Sequence, residues 1–115
     1  QKLGVGEIVL NSIEFEGLQK GYDIELYKNA KRYCSVPLVA HGGAGKKEDL
    51  LKLFVETDVD GASIASLLHY SYIKADNDDK DFIDHFNKKK NLRFGSIKIT
   101  ELKKYLKREG VNVRL

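Results

Sequence analysis

The stretch VAHGGAGKKEDLL, residues 39–51, sets three glycines, Gly42, Gly43 and Gly45, behind a histidine and ahead of an amphipathic segment. Glycine reaches positive φ without steric cost and lets backbone N–H groups approach a ligand with no Cβ in the way. Such a loop can cradle an oxyanion, or it can simply make a tight turn. A second small-residue stretch, GASIASLL at 61–68, carries Ala65 and Ser66. Side by side, the two stretches can hold one phosphate through backbone amides, the Ser66 hydroxyl and the N-terminus of the helix that follows. The pattern is not the phosphate loop of nucleoside triphosphatases. Ala40 stands where that motif needs its first glycine, and Gly45-Lys46 is followed by Lys47, with no hydroxyl for a magnesium ion.

Other reactive side chains are more scattered. His41, at a strand end, can reach a substrate or be an ordinary hydrogen-bonded histidine. His41, His69 and His85 have no metal-ligand spacing with Cys34, so neither a metal nor a cofactor is expected. His69 and His85 read as structural or surface groups. Cys34 falls between a helix and a strand, away from the expected ligand side, and reads as a buried, inert thiol. Glu14 and Glu16 lie in the first loop on the ligand side, where they can do acid–base work or merely be solvated.

These residues need elements to position them. GEIVLNSI (6–13) reads as a strand buried on both faces, and EFEGLQKG (14–21) as a loop. YDIELYKNAKRY (22–33) reads as a helix capped by Asp23, with Leu26, Ala30 and Tyr33 at helical spacing. SVPLVAHG (35–42) repeats the strand pattern, with Pro37 at its start, where a missing N–H is tolerable. KKEDLLKLFVE (46–56) is a second helix with Leu50, Leu53 and Phe54 on one face. DGASIAS (60–66) is a third strand, and LLHYSYIKA a short helix. A charged insertion spans 71–93. ITELKKYLKREG (99–110) is a last helix, with Ile99, Leu102 and Leu106 inward and Gly110 as its C-cap. Strands alternating with helices predict an α/β fold with parallel strands and right-handed crossovers. A doubly wound sheet and part of a (β/α)8 barrel both fit, and a whole barrel needs about 250 residues. In either, ligands sit at the C-terminal ends of the strands.

Composition excludes several classes. At 115 residues, with 42% hydrophobic and 32% charged residues, the chain is too rich in core residues for disorder. No apolar run approaches the ~18 residues of a membrane span, and one cysteine rules out an internal disulfide. A cytoplasmic protein is expected, with no membrane and no nucleic acid among its partners. The net charge of +3 is mild and dispersed, which suits phosphorylated ligands better than nucleic acid. The chain starts at Gln1 and holds no methionine, which predicts a fragment trimmed at its start. Bare strand edges in such a fragment predict self-association.

GVGEIVLNSIEFEGLQKGYDIEL, PLVAHGGAG, GASIASLLHY and ITELKKYLKREGVNVRL together resemble the C-terminal half of the cyclase subunit of imidazole glycerol phosphate synthase, over nearly all of the chain but 71–93. The resemblance implies a (β/α)8 barrel of which this chain supplies strands six to eight. It implies ammonia from a glutaminase partner crossing the barrel to a phosphorylated nucleotide bound across its top. It implies phosphate binding at Glu16, Gly17, Gly42, Gly43, Ala65 and Ser66, and places Glu7 at the gate where ammonia enters. The family's two catalytic aspartates lie on strands one and five, which are absent here, so the chain alone is expected to be inactive and to need the missing N-terminal half.

The sequence also departs from the family. Asn11 replaces a threonine, Glu14 and Glu16 replace aspartates, Leu18 replaces a second threonine, and His41 stands where serine is usual. Asn11 and His41 therefore change groups facing the substrate. VLNSI and the insertion tilt the biological role toward a paralogous branch that makes amidino-sugars of surface polysaccharide, while overall similarity points to the histidine enzyme. A half-barrel that only binds phosphate and a partner is the remaining alternative.

Overall fold

A computed structural model describes residues 1–73 and 95–115. In chain order they form β1 (Ile8–Asn11), α1 (Ile24–Lys31), β2 (Leu38–His41), α2 (Lys47–Glu56), β3 (Gly61–Ser63), α3 (Ser66–Ile73) and α4 (Ile99–Arg108). The charged insertion lies almost wholly outside the described residues. The strands make one parallel sheet in the order β1-β2-β3. Asn11 is paired with His41, and His41 with Ser63, so the three strands end level.

Local chemistry explains the elements. The Asp23 carboxylate accepts from the Leu26 N–H at 3.1 Å and starts α1. The Asp49 carboxylate accepts from the N–H groups of Gly45 and Lys46 at 2.9 and 3.0 Å and fixes the start of α2. Helix α4 closes on Gly110 at φ +88°, with Gly110 N–H donating to the Lys107 carbonyl and Val111 N–H to that of Leu106. That is a Schellman closure, and it needs a residue at ease in the left-handed region.

The core lies between the helices and one face of the sheet. Tyr27, Leu38, Ala40, Leu50, Leu53, Leu67, Leu102 and Leu106 are buried there, with Ile8, Leu10 and Ala62 packed against them. Side chains alternate along a strand, so Val9 and Asn11 point the other way. Val9 is 60% exposed, and Asn11 is exposed as well. The expectation that β1 is buried on both faces is therefore corrected: among the described residues no layer covers its second face. A doubly wound sheet would carry helices on both faces, and these residues do not form one.

Smaller corrections have equally local causes. The strands are shorter than the apolar runs, because pairing stops where the glycine-rich loops begin. Tyr33 lies beyond the end of α1 and is 82% exposed, and Tyr27 is the buried anchor of that helix. Ile99, in the first turn of α4, is 36% exposed, while Leu102 and Leu106 turn inward. Cys34 is a free thiol, only partly buried, at the edge of the core.

Asp60 ties the start of β2 to β3. Its carboxylate accepts from the Leu38 N–H at 2.8 Å and from the Lys31 ammonium, while its own N–H donates to the Leu38 carbonyl. The Lys31 hydrogen bond, then the Leu38 N–H, holds its pKa below the usual carboxylate value of 3.8. A depressed pKa contributes stability above the unfolded value, lost as pH falls through the folded one. Asp60→Asn is thus expected to melt lower than wild type at neutral pH, with the difference shrinking as pH falls through and below the usual carboxylate range in a pH series of thermal melts. Leu53→Ala, at a fully buried site, is expected to cost about 3 kcal/mol in urea denaturation.

Candidate functional site

The C-terminal ends of the three strands open into a cleft lined by Glu16, Gly17, Gln19, His41, Gly42, Gly43, Ala44, Ser63, Ile64, Ala65 and Ser66. All six residues expected to hold phosphate line it, and so does His41. Asn11 is not among the lining residues, but its side-chain oxygen lies beside Gly42, where an added Cβ would come within 2.8 Å of it. Glu7 lies just before β1, at the opposite end of the strand from Asn11, and is exposed with no ion-pair partner among the described residues. Glu14 is exposed and lies outside the cleft lining. His85 falls outside the described residues. His69 lies on α3 and is not among the cleft residues.

The cleft is shaped by two backbones in close contact. Gly43 has φ +100°, and a Cβ there would lie 2.1 Å from the Gly21 carbonyl oxygen. The Gly21 N–H donates to the Gly43 carbonyl at 2.9 Å. At Gly45 a Cβ would meet the Gln19 carbonyl oxygen at 2.3 Å. Two of the three glycines are thus required by the packing of loop 16–21 onto loop 42–45. Gly45 is excluded from anion binding, because Asp49 already takes its N–H.

Several donors remain open. Among the described residues, the N–H groups of Gly42 and Gly43 have no acceptor, nor do those of Ser66 and Leu67 at the start of α3. The first N–H groups of a helix lack intrahelical partners and carry the positive end of its dipole. Open amides from two adjacent strand ends therefore border one cleft. Below them the frame is stiff. Tyr27, with Ser12 N–H, donates to the His41 carbonyl, and Tyr22 donates to the Ser63 carbonyl. The two rings meet edge to face, 6.0 Å apart. Burial above all pushes both phenol pKa values up, so both hydroxyls remain donors at any ordinary pH.

Charge enters through one pair. His41 Nε2 lies 3.4 Å from a Glu16 carboxylate oxygen. Sequence reasoning named both residues without foreseeing that they meet; the level strand ends of β1 and β2 bring them together. It missed Gln19, whose signal was a polar residue between two glycines, Gly17 and Gly21, in a loop on the ligand side. Among the described residues no group of three or more His, Cys, Asp or Glu is placed to hold a metal, and no helix is long and apolar enough to cross a membrane.

A parallel α/β sheet with a cleft at the C-terminal ends of its strands defines the class of α/β proteins whose ligand side is that edge. Comparison narrows the class. The chain belongs to the histidine biosynthesis protein family, whose profile matches residues 1–74. It is 40% identical over all 115 residues to the imidazole glycerol phosphate synthase subunit HisF of Citrobacter koseri, and 39% identical to that of Escherichia coli O7:K1. The chain spans 35% of the length of these curated relatives.

The two kinds of glycine separate in a stability test. Gly43→Ala meets both left-handed φ and a carbonyl, and is expected to cost at least about 2 kcal/mol. Gly17→Ala has φ +71° but open space around it, and is expected to cost only about 1 kcal/mol in the same denaturant titration.

Proposed function

We propose that this chain is the phosphate-binding part of a cyclase subunit of the imidazole glycerol phosphate synthase type. In this reading β1, β2 and β3 are strands six, seven and eight of a (β/α)8 barrel. The exposed face carrying Val9 and Asn11 then looks into the barrel, where the remaining strands cover it. One phosphate of a phosphorylated nucleotide rests in the cleft, held by the N–H groups of Gly42, Gly43 and Ser66, with Gly17 and Ala65 allowing close approach and the Ser66 hydroxyl as a further donor. The observation that carries the reading is the meeting of two sets of open amides at neighbouring strand ends in a chain 40% identical to such a subunit.

The chemistry assigned to this chain is binding and orientation. Amides fixed by backbone packing stabilise a dianion without reorganising when it arrives. Anchoring a remote phosphate lends binding energy to the positioning of the reacting end. Asn11 and His41 flank the substrate. Glu7, at the other end of β1, stands where ammonia from a glutaminase partner enters. The groups that handle protons at the reacting atoms belong to strands outside this chain, so the chain alone is inactive. The curated relatives named above bear the name of the histidine enzyme, which does not favour the polysaccharide branch.

The test is turnover by the intact protein, with ammonium salt as nitrogen donor and the histidine-pathway nucleotide as acceptor. Ammonia-dependent turnover is expected, rising when glutamine and the glutaminase partner replace the salt. No turnover with either donor would overturn the proposal.

A further inference from the structure

Among the described residues, two buried side-chain nitrogens have no hydrogen-bond partner: Gln19 Nε2 and His41 Nδ1. Both residues line the same cleft. An unpaired buried donor costs free energy, so native proteins seldom keep one without a reason. Gln19 carries a second cost. It is the one non-glycine residue with positive φ, at +53°, among the described residues. Backbone strain of this kind survives where surrounding contacts over-determine it, and it concentrates at ligand clamps. Here the contact is the seating of the Gln19 carbonyl against Gly45. One kind of ligand relieves both orphans, an acceptor-rich oxyanion in the cleft.

The His41 orphan implies a proton as well. Nε2 lies at ion-pair distance, 3.4 Å, from the Glu16 carboxylate, which favours the hydrogen on that nitrogen. In the neutral ring Nδ1 is then an acceptor, useless to an anion. Only the imidazolium offers Nδ1–H. Glu16 is the one charged side chain paired with His41 among the described residues. From α1, Tyr27 touches its carbonyl, and its strand neighbours Asn11 and Ser63 do not titrate. A dianion beside the Glu16 carboxylate is repelled unless a cation lies between them, and imidazolium supplies that cation.

We infer that Gln19 and His41 are side-chain ligands of the bound oxyanion, His41 as an imidazolium braced by Glu16, so that the anion binds together with a proton. The inference rests on the phosphate reading of the cleft and adds to its backbone amides two side-chain donors and a charge rule. A dianion is bound more tightly where His41 carries its proton than where it does not.

The experiment is an NMR titration of the isotope-labelled intact protein with sodium sulfate at constant ionic strength, at about pH 6 and about pH 8. Sulfate stays dianionic throughout, so only the protein titrates. Saturable shifts are expected in the Gly42, Gly43 and Ser66 amides, the Gln19 side-chain amide and the His41 ring, with affinity about tenfold weaker at the higher pH. Gln19→Met is expected to bind sulfate about tenfold more weakly at both pH values, yet to melt no lower than wild type without sulfate, which a merely structural glutamine would not do. His41→Gln is expected to lose the pH dependence. Shifts in the backbone amides that leave Gln19 and His41 unmoved, or a pH dependence that persists in His41→Gln, would overturn this inference alone. No shift in the Gly42, Gly43 and Ser66 amides at either pH would overturn it together with the phosphate reading.

Discussion

The site depends on two backbones being pressed together at the strand ends. Loop 16–21, which follows β1, lies so close to loop 42–45, which follows β2, that carbonyls of Gly21 and Gln19 occupy the space where side chains at 43 and 45 would begin. One hydrogen bond, from the Gly21 N–H to the Gly43 carbonyl, locks the contact. The rest of the site follows from it. Gly42 and Gly43 are turned so that their N–H groups stay open, Gln19 is held in a strained conformation, and Glu16 is delivered to His41. The glycines therefore act first as spacers between chains and second as amide donors.

The proposed site asks a mildly charged protein to hold a dianion. Among the described residues, no arginine and no lysine line the cleft. In the proposed reading the attraction comes from oriented N–H dipoles and the start of α3. Such a site discriminates by geometry, since its donors are fixed before the ligand arrives. The phenols of Tyr22 and Tyr27 supply that rigidity by bonding the last carbonyls of β3 and β2.

The sequence made the elements legible where an end signal had a direct physical meaning. Asp23 ahead of an apolar-periodic run marked the start of α1, and Gly110 marked the end of α4. The alternation of strands and helices implied a parallel sheet. The cleft was legible too, since glycine and small residues followed two successive strands. Periodicity could not reveal that the second face of β1 is bare, because an apolar run looks the same whether its outer side is covered within the chain or by something else. It could not reveal the Glu16–His41 pair or the orphaned Gln19 amide, which arise from contacts between loops distant in sequence. The role of Asp49 was hidden for a related reason: its carboxylate caps a helix by reaching back to Gly45 and Lys46.

The central claim is that amides after β2 and at the start of α3 jointly hold a phosphate. The most direct measurement is a crystal structure of the intact protein grown with a phosphate monoester. The phosphate group is expected in the cleft, with oxygens about 3 Å from the nitrogens of Gly42, Gly43 and Ser66. A phosphate bound elsewhere while these nitrogens face only solvent would contradict it.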